Sequence, residues 1–459
     1  MEETCVMEKK ALRKKIYSMI IPITVESMLQ MTAGFVSAAF IGRLDAMAIS
    51  ALGISTRITQ IIWSLFKGIT TGGTVLVAQA YGANNEKKVR DTIMQTLISC
   101  VLLVIILAGF MQINGKVFLK VFNPSVDLIS QAESYLKIVA FGLPLVVIML
   151  VVAGSLQGMG NGKTPMKIAA VMNGANILIS PVLIFGKFGL PAMGIQGAAL
   201  GLVIAQFIGA SLGIYTLFNK NGVLYKCRNK NSFKLDKSII TKVYKVGFPS
   251  SLESMFWQFA SIILTTLILA FGEIAMASYQ LGLQAESISY MPAVGFSVAA
   301  TAFTGQALGA RNKDLGKAYL KEILKGSTII TIISSALLLF VPNLIMMLLT
   351  DNVDIINLGS KYLILMGLVQ IPQNISACIN GSLRGAGFTK VPMYCAGIGI
   401  WVIRIPLALI FTKVLHLGVI AIWVAMCVDL VVRLMVSVIF YKKYKIFSEN
   451  SKVDVTLAG

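Results

Sequence analysis

Seven ionisable residues stand inside long apolar runs: Glu26, Arg57, Glu253, Glu286, Arg404, Asp429 and Arg433. A charge in a hydrocarbon environment costs several kcal/mol unless it is paired, hydrated or neutralised, so each is a candidate for handling an ion or a proton. At about 1.5 Å of rise per helical residue, Glu26, Arg57, Glu253 and Glu286 fall at one depth, near the middle of a bilayer. There Arg57 can neutralise Glu26. Glu253 instead meets Glu286, and two carboxylates at one depth cannot both stay ionised without sharing a proton or a cation. Glu253 and Glu286 are therefore the expected coupling site for H+ or Na+. The alternative is that each acid is simply hydrogen-bonded to Gln258, Gln284, Ser287 and Tyr290 nearby. Arg404 and Asp429, with Arg433 four residues further on, read as a structural ion pair.

Arg57 can be compared with Glu286 because the sequence contains itself twice. Gly68, Gln79, Ala80, Gly82, Ala83 and Asn85 match Gly295, Gln306, Ala307, Gly309, Ala310 and Asn312 at one offset of 227 residues. The same offset carries Pro22 and Glu26 onto Pro249 and Glu253, Tyr135 onto Tyr362, and GSLQGMG at 154–160 onto GSLRGAG at 381–387. A slip of two or three residues near 42–57 would put Arg57 where the second half has Glu286. A period of about half the chain means two fused half-proteins rather than a solenoid.

The elements that must hold these residues are membrane helices. Hydrophobic residues make up 56% of the chain and charged residues 13%, with a mean hydropathy of +0.80, and twelve apolar segments of spanning length run between residues 16 and 441. The expected fold is all-α, a polytopic membrane protein of twelve transmembrane helices. Six spans per half give both halves the same orientation, so the repeats are parallel. The expected division is a first six-helix bundle at 1–218, a basic linker at 219–241 and a second bundle with a tail at 242–459. Prolines 22, 144, 181, 249, 292, 372 and 406 interrupt spans and permit bending.

The net charge of +20 does not imply nucleic acid, because the Lys and Arg cluster at the N-terminus, in alternate loops and at the C-terminus. That is the positive-inside pattern, which places both termini in the cytoplasm and the protein in the inner or plasma membrane. Six scattered cysteines without a C-x-x-C give no disulfide framework or thiolate metal site. One histidine, His416 in a short outer loop, leaves little for a membrane-embedded enzyme, so neither catalysis nor a cofactor is expected. The GMGNG at 158–162 is a turn between spans, not a dinucleotide fingerprint.

Gln-Ala-x-Gly-Ala-Asn and Gln-Ala-Leu-Gly-Ala-Arg after spans 2 and 8, GSLQGMGNGKTP and GSLRGAGFTKVP after spans 4 and 10, MPAVGFSVAATAFTGQALGA at 291–310 and FVSAAFIGRL at 35–44 resemble the multidrug and toxic compound extrusion (MATE) family over nearly the whole chain. The resemblance implies a secondary antiporter that exports drugs or other organic cations in exchange for H+ or Na+, working in the bilayer as a monomer. The family's usual acids fall here on Ser37, on Ser180 (four residues after Asn176), on Trp257 and near Gln373. Ser37, Asn176 and Ser180 are thus expected with Glu26 and Arg57 around a first-half cavity. Trp257, Gln284, Tyr290, Gln373 and Asn374 are expected around a second-half one. A flippase for a lipid-linked sugar is the alternative, which would want a wide cationic cavity.

Overall fold

The computed structural model describes residues 2–44, 46–120, 126–225 and 234–448; the middle of the expected linker and the end of the C-terminal tail lie outside them. Thirteen helices and no strand are found among the described residues. They are α1 (Glu2–Ile41), α2 (Ala46–Gly82), α3 (Glu86–Lys120), α4 (Val126–Gly158), α5 (Lys163–Phe185), α6 (Gly194–Phe218), α7 (Lys237–Leu269), α8 (Glu273–Gly309), α9 (Lys313–Phe340), α10 (Pro342–Met347) and α11 (Val353–Gly385), then α12 (Lys390–Val414) and α13 (Ile420–Tyr444). Eleven are long and apolar enough to cross a bilayer. The twelfth long helix, α8, is 37 residues long, as α2 is. It falls short on composition, because Ser, Thr, Gly and Pro dilute its apolar stretch and Gln280, Gln284 and Glu286 precede it.

The duplication reaches down to the helix ends. α2 begins and ends where α8 does, α4 where α11 does, and α3 begins where α9 does, all at the sequence offset. Even the irregularities repeat. α3 has non-helical backbone at Asn114 (φ −109°, ψ 18°), and the equivalent Val341 (φ −128°, ψ 38°) ends α9, with Pro342 opening α10. Proline at a first helical position costs no hydrogen bond, so here the kink becomes a break.

The motif after spans 2 and 8 now has a physical meaning. Asn84 and Arg311 both take φ 54°, the left-handed turn that stops a helix. The next residue, Asn85 or Asn312, then caps the following helix, accepting from Lys88 N at 3.0 Å and from Leu315 N at 2.9 Å. The motif after spans 4 and 10 is a close helix crossing. A Cβ on Gly158 would lie 2.8 Å from Thr74 O, and one on Gly385 would lie 2.2 Å from Thr301 O. Each of these glycines follows another by four residues, Gly154 and Gly381, which gives the small-residue spacing that lets membrane helices touch backbone to backbone.

Two compact units emerge, one of residues 1–24, 82–84 and 252–459, the other of residues 25–81 and 85–251. They differ from the expected halves in that each includes the opening turns of the other half's first helix, and residues 82–84 group with the second half. In the second unit Gly68 of α2 abuts Ser251 of α7; in the first, Gly295 of α8 abuts Ile20 and Thr24 of α1. The core of the first unit is built on Tyr362 and Trp423, both fully buried, with Tyr279 edge-on to Tyr362.

Candidate functional site

The unit of residues 25–81 and 85–251 contains a cavity of about 240 Å³ between α1, α2, α4, α5 and α6. Its walls are mostly apolar, with Leu143, Met149, Leu150 and Met172 among them. Among the lining residues Glu26 is the only charged side chain and Trp63 the only aromatic one; Gln30, Thr59, Gln60 and Gln206 supply the remaining polar groups. The Oε1 of Gln206 is buried without a hydrogen-bond partner, close against Gly142. Methionine side chains can repack around ligands of different shape.

Glu26 is half-buried and accepts a hydrogen bond from Gln157 Nε2 at 3.4 Å. The charge acting on it is the ammonium of Lys67, not Arg57. Arg57 is half-buried, does not line the cavity and makes no ion pair among the described residues. The expected Glu26–Arg57 pair is thus absent, and the alignment of Arg57 with Glu286 fails as well. Because α2 and α8 share both ends, Arg57 stands opposite Gln284, and Glu286 stands opposite Thr59. The offset of 227 residues holds both before and after the connections that precede these helices, so the expected slip is not there. Ser37, Asn176 and Ser180 do come together, but away from the cavity lining. Asn176 Nδ2 donates to Ser37 Oγ at 3.1 Å, and Ser180 Oγ donates to Asn176 Oδ1 at 2.7 Å. This neutral, self-satisfied chain occupies the place where the resemblance leads one to look for carboxylates.

In the other unit, Glu253 does not face Glu286 alone. Arg384, at the end of α11, grips it through two contacts, Nη2 to Oε1 at 2.5 Å and Nε to Oε2 at 3.3 Å. Such a two-point, charge-assisted pair neutralises the carboxylate. The premise that Glu253 has only another acid for company is therefore corrected. Glu286, 8% exposed, takes neutral donors instead, Tyr362 Oη at 2.6 Å and Gln370 Nε2 at 3.0 Å. Gly282, one turn before it, makes room for the Tyr362 ring, since a Cβ there would lie 2.4 Å from that ring. Of the three acids in this interior, Glu286 alone has no guanidinium bonded to it.

Arg404 and Asp429 form the expected ion pair at 2.7 Å, and Arg433 adds two more contacts to the same carboxylate. Both guanidiniums lie over the Trp257 ring, at 5.1 and 4.3 Å. Three acids and three arginines thus balance, which removes the excess of acid on which an expectation of cationic ligands in this half would rest. Gln284 is half-buried and Tyr290 exposed on α8. Asn374 donates to Thr331 Oγ1 at 2.8 Å, and the side-chain oxygens of Gln370, Gln373 and Asn374 are buried without partners.

Two charged residues of these sites stand outside the seven singled out in the sequence, Lys67 and Arg384. Lys67 does so although it lies inside the second apolar segment and within α2. Arg384 was in plain view as the one charged difference between GSLQGMG and GSLRGAG, yet it was read only as part of a signature.

The chain matches the MatE family over residues 22–182 and again over 249–410. It is 29% identical to "Probable multidrug resistance protein NorM" of Thermotoga maritima over 95% of this chain and 93% of that protein. It is 26% identical to "Probable multidrug resistance protein YoeA" of Bacillus subtilis over 92% of each. Among solved structures, "Crystal structure of MATE in the bent conformation" superposes with a TM-score of 0.87 at 20% identity, covering 98% of this chain and 99% of that one. A MOP superfamily transporter from Pyrococcus furiosus Vc1 does so with 0.87 at 19% identity, covering 95% and 96%.

Proposed function

This chain belongs to the MatE family, a family of transporters rather than enzymes, and we propose that it exports drugs or other amphiphilic organic cations in exchange for H+ or Na+. The observation that carries the substrate class is the cavity lined by Glu26. A pocket with apolar walls, adaptable methionines, one aromatic face and a single carboxylate suits a bulky monocation whose charge is spread over an apolar body. A lipid-linked pyrophosphate would need several cations around one cavity; none lines this one, and a single ammonium, that of Lys67, rests over its Trp63 ring. The relatives named for multidrug resistance support the same reading.

Coupling is assigned to Glu286. It is buried, bonded only to neutral donors, and beside it Gln370 keeps a buried oxygen without a partner. A carboxylate in that setting can bind a proton or a small cation and give it up again, whereas Glu253 is already neutralised by Arg384. The protein is placed in the cytoplasmic membrane as a monomer, with both termini inside. Proteoliposomes loaded with ethidium and given either a pH jump or a Na+ jump test the reading. Efflux driven by one of the two jumps is expected, and ethidium movement that ignores both would overturn it.

A further inference from the structure

The cavity's two cation-attracting features, the Glu26 carboxylate and the Trp63 ring, already serve a cation of the protein's own. Lys67 follows Trp63 by one helical turn on α2, and its ammonium rests over the Trp63 ring, 4.5 Å from the centroid. The same ammonium is the charge that acts on Glu26. We propose that Lys67 is a tethered occupant of the cation subsite in this cavity, and that an organic cation binds by displacing it. The inference rests on the reading of this cavity as the substrate site and deepens it.

Three observations favour displacement over a fixed structural role. Lys67 is exposed, so its flexible stem can swing the ammonium towards water at little cost. The position is Val294 in the other repeat, so the crossing made by the neighbouring Gly68 and Gly295 does not call for a lysine. And Glu26 would otherwise sit half-buried in an apolar cavity without a counter-charge, a costly state that the lysine prevents whenever the cavity is empty. Ligand binding then exchanges one cation for another, and Glu26 keeps a counter-charge throughout. A neutral ligand of the same size gains nothing from Glu26 and has no reason to move Lys67.

The test compares tetraphenylphosphonium with the uncharged triphenylphosphine oxide, measured by calorimetry on full-length protein in nanodiscs. Lys67→Met is expected to tighten the phosphonium about tenfold, the scale of a desolvated cation–π contact, and to leave the oxide unchanged. Glu26→Gln is expected to weaken the phosphonium at least as much. If Glu26→Gln weakens the phosphonium but Lys67→Met does not tighten it, or tightens both ligands equally, the tether is overturned and the cavity reading stands. If Glu26→Gln leaves phosphonium affinity unchanged, the cation site is elsewhere and both fall.

Discussion

Gln157 and Arg384 hold the same place in the two repeats, and each addresses a glutamate 131 residues before it: Gln157 reaches Glu26 at 3.4 Å, Arg384 reaches Glu253 at 2.5 Å. One inherited geometry has thus become a weak neutral hydrogen bond in one unit and a charge-neutralising clamp in the other. The difference leaves Glu26 available to a ligand and removes Glu253 from play. Arg384→Gln, which copies the first-half arrangement into the second, should therefore destabilise the protein by about 2 kcal/mol, because Glu253 is left in a mostly buried setting without its partner. Glu253→Gln/Arg384→Gln should recover most of that loss. Melting temperatures of the native protein and the two variants check the order, and equal values for the single and double variants would remove the clamp.

The duplication, the helix count and the family resemblance were all legible in the sequence, because each rests on many positions that agree. The partners of the buried charges were not. Depth along a helix is readable from residue counts, but facing is not, and a two-residue error in register rotates a side chain by about 200° on a helix of 3.6 residues per turn. That error placed Arg57 opposite Glu286. Arg384 shows the opposite failure, since the alignment was right there and the charge was read as signature rather than as a group needing a partner.

Glu286→Gln tests the coupling assignment. Glutamine keeps the size and still accepts from Tyr362, but it cannot load a proton or hold a small cation. Ion-driven ethidium efflux per inserted molecule should fall at least tenfold, with expression unchanged. Glu253→Gln should reduce efflux no more than it reduces the amount of stable protein. Wild-type coupling in Glu286→Gln would move the coupling group elsewhere.

The glycine crossings should be graded by their clearances. A Cβ at Gly385 would lie 2.2 Å from a backbone oxygen that cannot move without its helix, and one at Gly158 would lie 2.8 Å from its counterpart, while Gly53 has nothing within 4 Å. Gly385→Ala should cost about 3 kcal/mol, Gly158→Ala about 1 to 2, and Gly53→Ala nothing or a slight gain from helix propensity. Thermal unfolding in detergent reads the series, and a Gly385→Ala protein as stable as Gly53→Ala would contradict the crossing.

Orientation follows from the distribution of basic residues. With the native cysteines replaced, a single cysteine in place of exposed Lys234 should be shielded from an impermeant thiol reagent added to intact cells. One in place of exposed His416 should react. The reverse pattern would invert the topology.

Asp429 is the position where removing a charge should do the most damage. It is fully buried and holds two guanidiniums, Arg404 at 2.7 Å from α12 and Arg433 from its own helix. The α12 helix approaches it through a π-helical segment, Ile398–Arg404, which brings Gly399 so close that a Cβ there would lie 2.0 Å from Asp429 Oδ1. The widened turn is therefore tied to the carboxylate, as π segments often are to sites that need an unusual approach. The triad carries one surplus positive charge in the native protein. Asp429→Asn raises this to two in an apolar interior and should cost 3 to 5 kcal/mol or abolish folding. Asp429→Asn/Arg433→Leu returns the surplus to one, so it should be more stable than the single variant though less stable than the native chain. Arg433→Leu alone leaves the Arg404–Asp429 pair neutral and should cost the least. Melting temperatures in that order would establish the carboxylate as the post that holds α12 against α13. An Asp429→Asn protein as stable as the native one would show that shape packing, not charge, makes that contact.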